Sequence, residues 1–362
     1  AISAAFASIV MGLVANYPVA LAAGMGVNAL FSYTVCLGMG YSWQAALCAV
    51  FVSGVIFVLI SVTGIRQMII NAIPIQLKLA IGSGIGFFIA FVGLKNAGII
   101  VSNTSTAVGI GNLTDPAVLL AVGGLLVTIA LVIKNVPAAV FVGMVITAIL
   151  GIIGGMMGLA NMPSLPTDFT LNLSMHGAGA FMDGFGELFS NPMAAFVIIF
   201  SFLFVDFFDT AGTLISIGNR IGLVNEKGEL ENAEKALLAD AIGTVFGAAV
   251  TTGVLFLLSI LISPIILSAV TNAVTAPALI VVGVMMAQQL KGIDWDDMVY
   301  ATSSFITILM MVLMYSISNG IACGFIVYTV GMCAAGRIKQ IHPTVWVLMV
   351  IFIIYFATPY MM

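Results

Sequence analysis

Charge is what this sequence lacks. Its 362 residues include only 10 Lys+Arg and 14 Asp+Glu, 7% in all, against about 25% in a soluble globular domain. That scarcity excludes a water-soluble globule of this size, because there is too little polar surface to coat one. It also excludes a nucleic-acid binder, which needs clustered basic residues. No polar stretch is long enough for a large soluble catalytic domain. Histidine is almost absent, with 2 residues, and the four cysteines (Cys36, Cys48, Cys323 and Cys333) lie in apolar runs with no Cys-x-x-Cys. They read as small apolar fillers at helix interfaces rather than as metal ligands or disulfides. Nothing resembles a cofactor box, so neither a metal nor an organic cofactor is expected.

What is present is hydrocarbon: 62% of the residues are apolar and the mean hydropathy is +1.24. The chain reads as an all-α polytopic membrane protein whose first partner is the lipid bilayer. Its length converts to about a dozen spans of ~20 residues each. The net charge of −4 is spread over loops and says little about other partners. No cleavable signal peptide is visible, and Ala1 already lies inside an apolar segment, so residues upstream of it are expected.

Apolar runs between polar punctuation predict helices over 1–14, 24–38, 42–62, 75–94, 116–133, 136–160, 193–218, 236–250, 251–270, 274–290, 299–316, 319–336 and 344–361. The stretch 161–192, with Pro163, Pro166, Asp168, His176, Asp183 and Glu187, reads as a loop with an interfacial helix. Arg220 to Lys235 reads as an aqueous connection. The final run, 344–361, fits either a span or a surface helix.

Lys and Arg favour the cytoplasmic side of membrane loops. With the connection after 42–62 placed inside, Arg66, Lys78, Lys134, Arg220, Lys227 and Lys235 fall inside and Lys95 outside. The rule then fails. Residues 236–270 contain no loop yet are far too long for one span, and two directly joined helices there put Lys291, Arg337 and Lys339 outside. One further span between Val250 and Thr251 returns all three to the inside. The charge pattern therefore predicts a segment missing at that junction.

Weak internal similarity points to repeats. Asp115 precedes an apolar run ending at Lys134–Asn135, and Asp297 precedes one ending at Ser318–Asn319. Pro74 followed by Gly82 is echoed, in the same order, by Pro277 followed by Gly283. Such repeats, with an odd number of spans per half, give inverted-topology transporters. Chance similarity among apolar helices is the competing account.

Two places break the hydrocarbon pattern. In Tyr17-Pro-Val-Ala-Leu-Ala-Ala-Gly-Met-Gly-Val-Asn28, Pro18, Gly24 and Gly26 interrupt a helix, and the run after the break is too short to cross alone. A discontinuous helix exposes backbone N–H groups that can receive a polar ligand at membrane depth, and Asn28 adds a donor and an acceptor. The alternative is a Gly-rich packing contact with Asn28 bonded to a neighbouring backbone. The second place is Phe204-Val-Asp-Phe-Phe-Asp-Thr-Ala-Gly-Thr213, inside an apolar span. A carboxylate at the centre of a membrane helix costs on the order of 2.5–3.5 kcal/mol on insertion scales. Asp206 and Asp209, three apart, share a helix face, and two close acids in a low dielectric do not both ionise easily. That is the equipment of a proton-coupled binding site. A structural bond to a broken helix is the other account, and it suits Asp209, which precedes Thr210 and Gly212, better than Asp206.

The remaining polar residues read as structural. Asp240, in Leu237-Leu-Ala-Asp-Ala-Ile-Gly243, reads as a carboxylate near a helix start, complementing the dipole. His176 and His342 read as surface residues without partners. Lys78 reads as a snorkelling side chain.

Three segments carry a family resemblance: Ala22-Ala-Gly-Met-Gly-Val-Asn-Ala-Leu-Phe31, the run Leu77–Ile100 that contains Gly82, Gly84 and Gly86, and Phe202–Thr213 with its Asp-x-x-Asp. Leu237–Thr244 and Ala276–Gly283 agree with them. The chain resembles, nearly end to end, the nucleobase permease superfamily and within it the AzgA-like branch that carries hypoxanthine, guanine and adenine. The resemblance implies fourteen helical segments in two inverted repeats of seven, forming a core domain (here 1–62 and 193–270) and a gate domain (75–160 and 274–362), with 161–192 as an extracytoplasmic loop. It implies proton-coupled uptake of a purine across the cytoplasmic membrane. The purine would be bound by Asn28, Gly26, Asp206 and Asp209, with Gly24, Thr210 and Asp240 in support and the proton on the acidic pair.

Three departures from the family pattern stand out. Ala23 replaces the family's Pro before Gly-Met-Gly, the family's first span is absent, and the second half-helix, whose Thr-Tyr-Val-Glu-Ser-like motif supplies a binding Glu, is missing between Val250 and Thr251. Rival readings are a same-fold carrier for another nucleobase or an anion, disfavoured by Asp206-x-x-Asp209, and a non-transporting truncated scaffold. An intramembrane aspartyl protease would need its acids on two facing helices and a Gly-x-Gly-Asp, which does not occur. The sequence leaves open a monomer or a homodimer.

Overall fold

The computed structural model describes residues 30–63, 65–165, 179–221, 233–250 and 268–357, together with Met11, Leu13, Asn16, Gly24, Val27 and Asn28. A π-type helix over Leu30–Gly38 leads into α1 (Trp43–Val62), α2 (Ile65–Ala72) and α3 (Ile75–Asn96). A small antiparallel hairpin follows, β1 (Ile100–Asn103) with β2 (Ala107–Ile110), in register Ile100 to Ile110. Then come α4 (Pro116–Ile133), α5 (Ala139–Met156), the single turn α6 (Phe185–Leu188), α7 (Pro192–Ile221) and α8 (Ala233–Val250). The chain continues through α9 (Asn272–Ala287), α10 (Met298–Leu313), α11 (Ile317–Ala334) and α12 (Pro343–Ala357). Among the described residues, six helices are long and apolar enough to cross a membrane, and shorter apolar ones lie at 192–208, 298–313 and 343–357. The protein is an all-α, multi-pass membrane protein. The predicted helices 1–14 and 251–270 and the suspected junction at Val250–Thr251 fall on or against residues outside those described.

The contacts divide the chain into two compact units, one of Ala1–Gly84, Leu173–Leu258 and Gln289–Met362, the other of Ile85–Asn172 and Ser259–Gln288. In the first unit α1 packs on α7 and α8, and α11 packs on α7, α10 and α12. One face of α1 carries Ala45, Ala46, Ala49, Ser53 and Gly54, all buried, and small side chains let helix backbones approach closely where hydrophobicity alone gives no drive. Glu187 of α6 fastens the start of α1: its carboxylate accepts the Ser42 backbone N–H at 2.8 Å and the Ser42 hydroxyl, while Ser42 Oγ accepts from Ala45 N–H at 3.2 Å. These hydrogen bonds hold the Glu187 carboxyl below its ordinary range.

The second unit joins α4, α5, α9 and the later half of α3. Gly124 of α4 faces Thr147 of α5, and Gly143 of α5 faces Thr128 of α4. Each threonine donates back to the glycine one turn earlier on its own helix, at 2.7 Å, so no hydroxyl is stranded in the apolar contact. Gly86 and Gly283 meet backbone to backbone; a Cβ on Gly86 would sit 2.7 Å from the Gly283 carbonyl oxygen. The α10–α11 hairpin of the first unit is built like α4–α5. Asp115 and Asp297 cap their helices by accepting the N–H two residues on, at 2.8 and 2.9 Å. Asn135 and Tyr315 take positive φ at the two hairpin turns, and Thr307 faces Gly324 across the second pair.

Candidate functional site

The acidic helix is oriented by its aromatic residues. Phe204 and Phe208, one turn apart on α7, contact Phe352 of α12 at centroid distances of 5.0 and 5.6 Å, and Phe208 meets Phe325 of α11 at 6.3 Å. Residue 206, between them, projects from the opposite side of the helix. There it meets α8. The Thr244 hydroxyl donates to Asp206 Oδ2 at 3.1 Å, and the Thr210 hydroxyl donates to Asp240 Oδ2 at 2.8 Å. Two antiparallel helices thus exchange acid and hydroxyl reciprocally. Thr244 also lies 3.3 Å from the Asp240 carbonyl oxygen, so its single proton is shared between α7 and its own helix.

Asp206, Thr210, Asp240 and Thr244 are all half-buried. Burial strengthens their bonds relative to water, while each of the four residues keeps part of its surface exposed. A flat ligand with N–H donors matches such an edge, and a carboxylate there can also take and return a proton. Among the described residues no group of three His, Cys, Asp or Glu could hold a metal.

Asp206, Thr210 and Asp240 are therefore brought together. Asp240, however, lies two turns inside α8 rather than near its start, so dipole complementarity does not explain it; Thr210 does. Asn28 is exposed and helical, its backbone N–H donating to Gly24 O at 3.1 Å. Gly26 and the side chain of Asp209 lie outside the described residues, as does His176. Sequence reasoning missed Thr244 as a site residue, although the signal was present: Asp206/Thr210 and Asp240/Thr244 are two acid–hydroxyl pairs of identical spacing on neighbouring helices. One further expectation fails and another holds in part. Lys78 is 4% exposed, which is burial and not snorkelling. His342 is exposed, as expected of a surface residue, but it has a partner, its Nδ1 accepting the Thr344 N–H at 3.2 Å.

Comparison with known proteins agrees with this architecture. The profile of the permease family matches residues 1–255. The chain is 46% identical to the guanine/hypoxanthine permease PbuG of Bacillus subtilis over 387 aligned positions, covering 98% of this chain and 85% of that protein. It is 38% identical to the guanine/hypoxanthine permease PbuO of the same organism, covering 95% and 85%. With the adenine permease AdeP of Escherichia coli it shares 38%, covering 97% and 82%. The alignment with PbuG is longer than the 362 residues of this chain, so at least 25 of its positions face no residue here. With a matched profile over most of its length and relatives this similar across nearly all of it, the chain belongs to the permease family, in the branch that holds these nucleobase carriers.

Proposed function

We propose that the chain is a secondary active transporter that takes up purine nucleobases (hypoxanthine, guanine or adenine) with protons across the cytoplasmic membrane. The observation that carries this reading is Asp206, an acid in the middle of an apolar helix, pinned by Thr244 yet still half-exposed. Asn28, Gly26, Asp206 and Asp209 bind the purine, with Gly24, Thr210 and Asp240 behind them, and the acidic pair takes the proton. The names of the relatives support the substrate class. The parallel construction of α4–α5 and α10–α11 supports two repeats, read here as inverted, with 1–62 and 193–270 as core and 75–160 and 274–362 as gate. The working unit is a monomer or a homodimer.

One observation favours a second reading, a chain that inserts but does not transport: the 25 or more aligned positions that it lacks. A single experiment separates the two. Labelled hypoxanthine, guanine and adenine are offered to cells without purine transporters, with and without a protonophore. Uptake that the protonophore abolishes, and that purines but not uracil compete, is the expected result. No uptake from well-expressed, membrane-inserted protein would overturn the transport reading.

A further inference from the structure

Within the first unit, a cavity of ≈ 460 Å³ opens where the α2–α3 turn meets the start of α10, the end of α11 and the turn leading into α12. Small-molecule pockets run to about 300–1,000 Å³ and combine an apolar or aromatic wall with a few convergent polar groups. This one is built that way. On its floor Tyr328 and Met332 of α11 are buried and Tyr300 of α10 is half-buried. The two tyrosine rings run nearly parallel, 18° apart, with centroids at 6.2 Å. On its rim stand Asn71, Gln340 and His342, all exposed. Each side-chain amide sets a donor beside an acceptor. Because His342 Nδ1 accepts the Thr344 N–H at 3.2 Å, the neutral ring carries its proton on Nε2 and adds a second kind of donor.

Charge is not what this lining offers. Asp297, at the start of α10, accepts from Arg337, so that acid and that guanidinium are spent on each other. Lys78 also reaches the wall, but it is 4% exposed and engaged in an interaction of its own, and the site takes nothing from its charge. The ligand that matches is therefore uncharged and flat. It carries an N–H beside an acceptor, the edge that Asn and Gln amides pair with two bonds at once, and a π-face for the aromatic floor.

The cavity is separate from the acidic site. Phe325 of α11 meets Phe208 at 6.3 Å, and Tyr328, three residues on, continues the same face. The cavity thus begins about one turn along α11 from the acidic helix, whereas Asp206 projects from the far side of that helix. It also has a side. Gln76 Oε1 accepts the Asp294 N–H at 2.9 Å, which brings Lys291 to the end that holds Lys78, Arg337 and Lys339. An end rich in Lys and Arg is cytoplasmic.

We propose that this cavity is a second ligand site, open to the cytoplasm, for an uncharged flat nitrogen heterocycle of the class that includes the purine bases. The ring lies against Tyr300, and its N–H and acceptor edge meets Asn71, Gln340 and His342. The bound base ties the α2–α3 turn to the α11–α12 turn. The lining sets the ligand class; the choice of a purine within it rests on the transport reading.

Photolabelling tests it without transport. Purified protein in detergent is irradiated with 8-azidoadenine, and the labelled peptides are mapped by mass spectrometry. Label should appear at Tyr300, at Tyr328 or in the turn around Gln340, and excess hypoxanthine should remove it while excess phosphate does not. Asn71 and Gln340 are exposed, so Asn71→Ala with Gln340→Ala should fold, and together they should weaken the apparent affinity at these peptides about fivefold or more, as expected for two lost neutral hydrogen bonds. Asp206→Asn should leave this label in place while reducing any label on α7 and α8. Label on α7 and α8 alone would overturn the second site and leave the transport reading standing. Absence of label from both places would overturn the second site and count against the purine reading as well. Cavity label that hypoxanthine does not compete, that the Asn71 and Gln340 variants do not weaken, or that Asp206→Asn abolishes would overturn the proposal.

Discussion

Asp206→Asn is the most informative perturbation because it preserves shape and removes only charge. In the folded protein the Thr244 hydroxyl donates to Asp206 Oδ2 at 3.1 Å, and the amide oxygen of Asn can accept the same bond. A hydrogen bond to a charged group contributes about 1.5–3 kcal/mol and a neutral one about 0.5–1.5. The α7–α8 contact should therefore lose only about 1 kcal/mol, which is a few degrees of melting temperature at most. The ligand loses more. A purine N–H that donated to a carboxylate now meets an amide, and forfeiting about 1.5–3 kcal/mol weakens binding by roughly ten- to a hundredfold. Asn also cannot take up a proton, so accumulation driven by a pH gradient should vanish and not merely slow. The assays are calorimetric titration with hypoxanthine, uptake into vesicles with an imposed pH gradient, and thermal unfolding as control. Affinity within about twofold of wild type, together with normal gradient-driven accumulation, would refute the assignment of Asp206. Collapse of the melting curve would instead make its role structural. Thr244→Val should give a smaller loss, and the double variant should be non-additive because the two residues touch.

Asn28→Ala should lower purine affinity or change the order of preference among purines while the melting temperature holds; loss of folding would favour a packing role at the helix break. Gly86→Val should be costly, because its Cβ would stand 2.7 Å from the Gly283 carbonyl and 2.8 Å from Met286 Cβ. Overpacking of this kind destabilises by about 1–3 kcal/mol, read as a smaller monodisperse fraction after heating. Glu187 gives a pH dependence with a definite sign. Its carboxyl is held below the ordinary value of 4.5 by the Ser42 hydroxyl and N–H. Its contribution is complete above that value and disappears as pH falls through the depressed folded one. Melting temperature should drop over that acid window in wild type, and Glu187→Gln should lack that part of the drop.

The spans were legible because a membrane helix needs little more than an uninterrupted apolar run. The predicted 42–62 and 116–133 differ from α1 and α4 by no more than one residue. What escaped was whatever does not cross. Helix α2 has only eight residues, with Arg66, Gln67 and Asn71 among them, so it offers no span signal. The β1–β2 hairpin is enclosed by Ser, Thr, Asn and Gly, which read as loop. Asp206 stood out because an acid in hydrocarbon is costly, whereas Thr244 did not, since a threonine can satisfy its own hydroxyl one turn back and then carries no visible cost. Lys78 was misread for a related reason: sequence reports a cation near a helix entrance, but only packing reveals that the α11 end and the turn before α12 close over it.

The same packing bears on the junction at Val250–Thr251. Lys78 and Lys291 stand on one face, so the chain between them crosses the membrane an even number of times. Apart from the single turn α6, the described helices in that interval are α3, α4, α5, α7, α8 and α9, already an even set. If the apolar run 251–270 made one crossing of its own, Lys291 would be carried to the opposite face, against the bond between Gln76 and Asp294. A span there needs a companion beside it. The 25 or more positions by which the PbuG alignment exceeds this chain are enough for one, since a span takes about 20 residues. Charge asymmetry points to this junction, and same-face packing and aligned length both leave room for one further span in the chain between Lys78 and Lys291. The expected outcome is that inserting the unmatched PbuG residues between Val250 and Thr251 raises purine uptake well above that of the chain without them. Equal uptake with and without the insertion, at equal membrane levels, would refute the argument and leave Asp206 with Asn28 as a sufficient site.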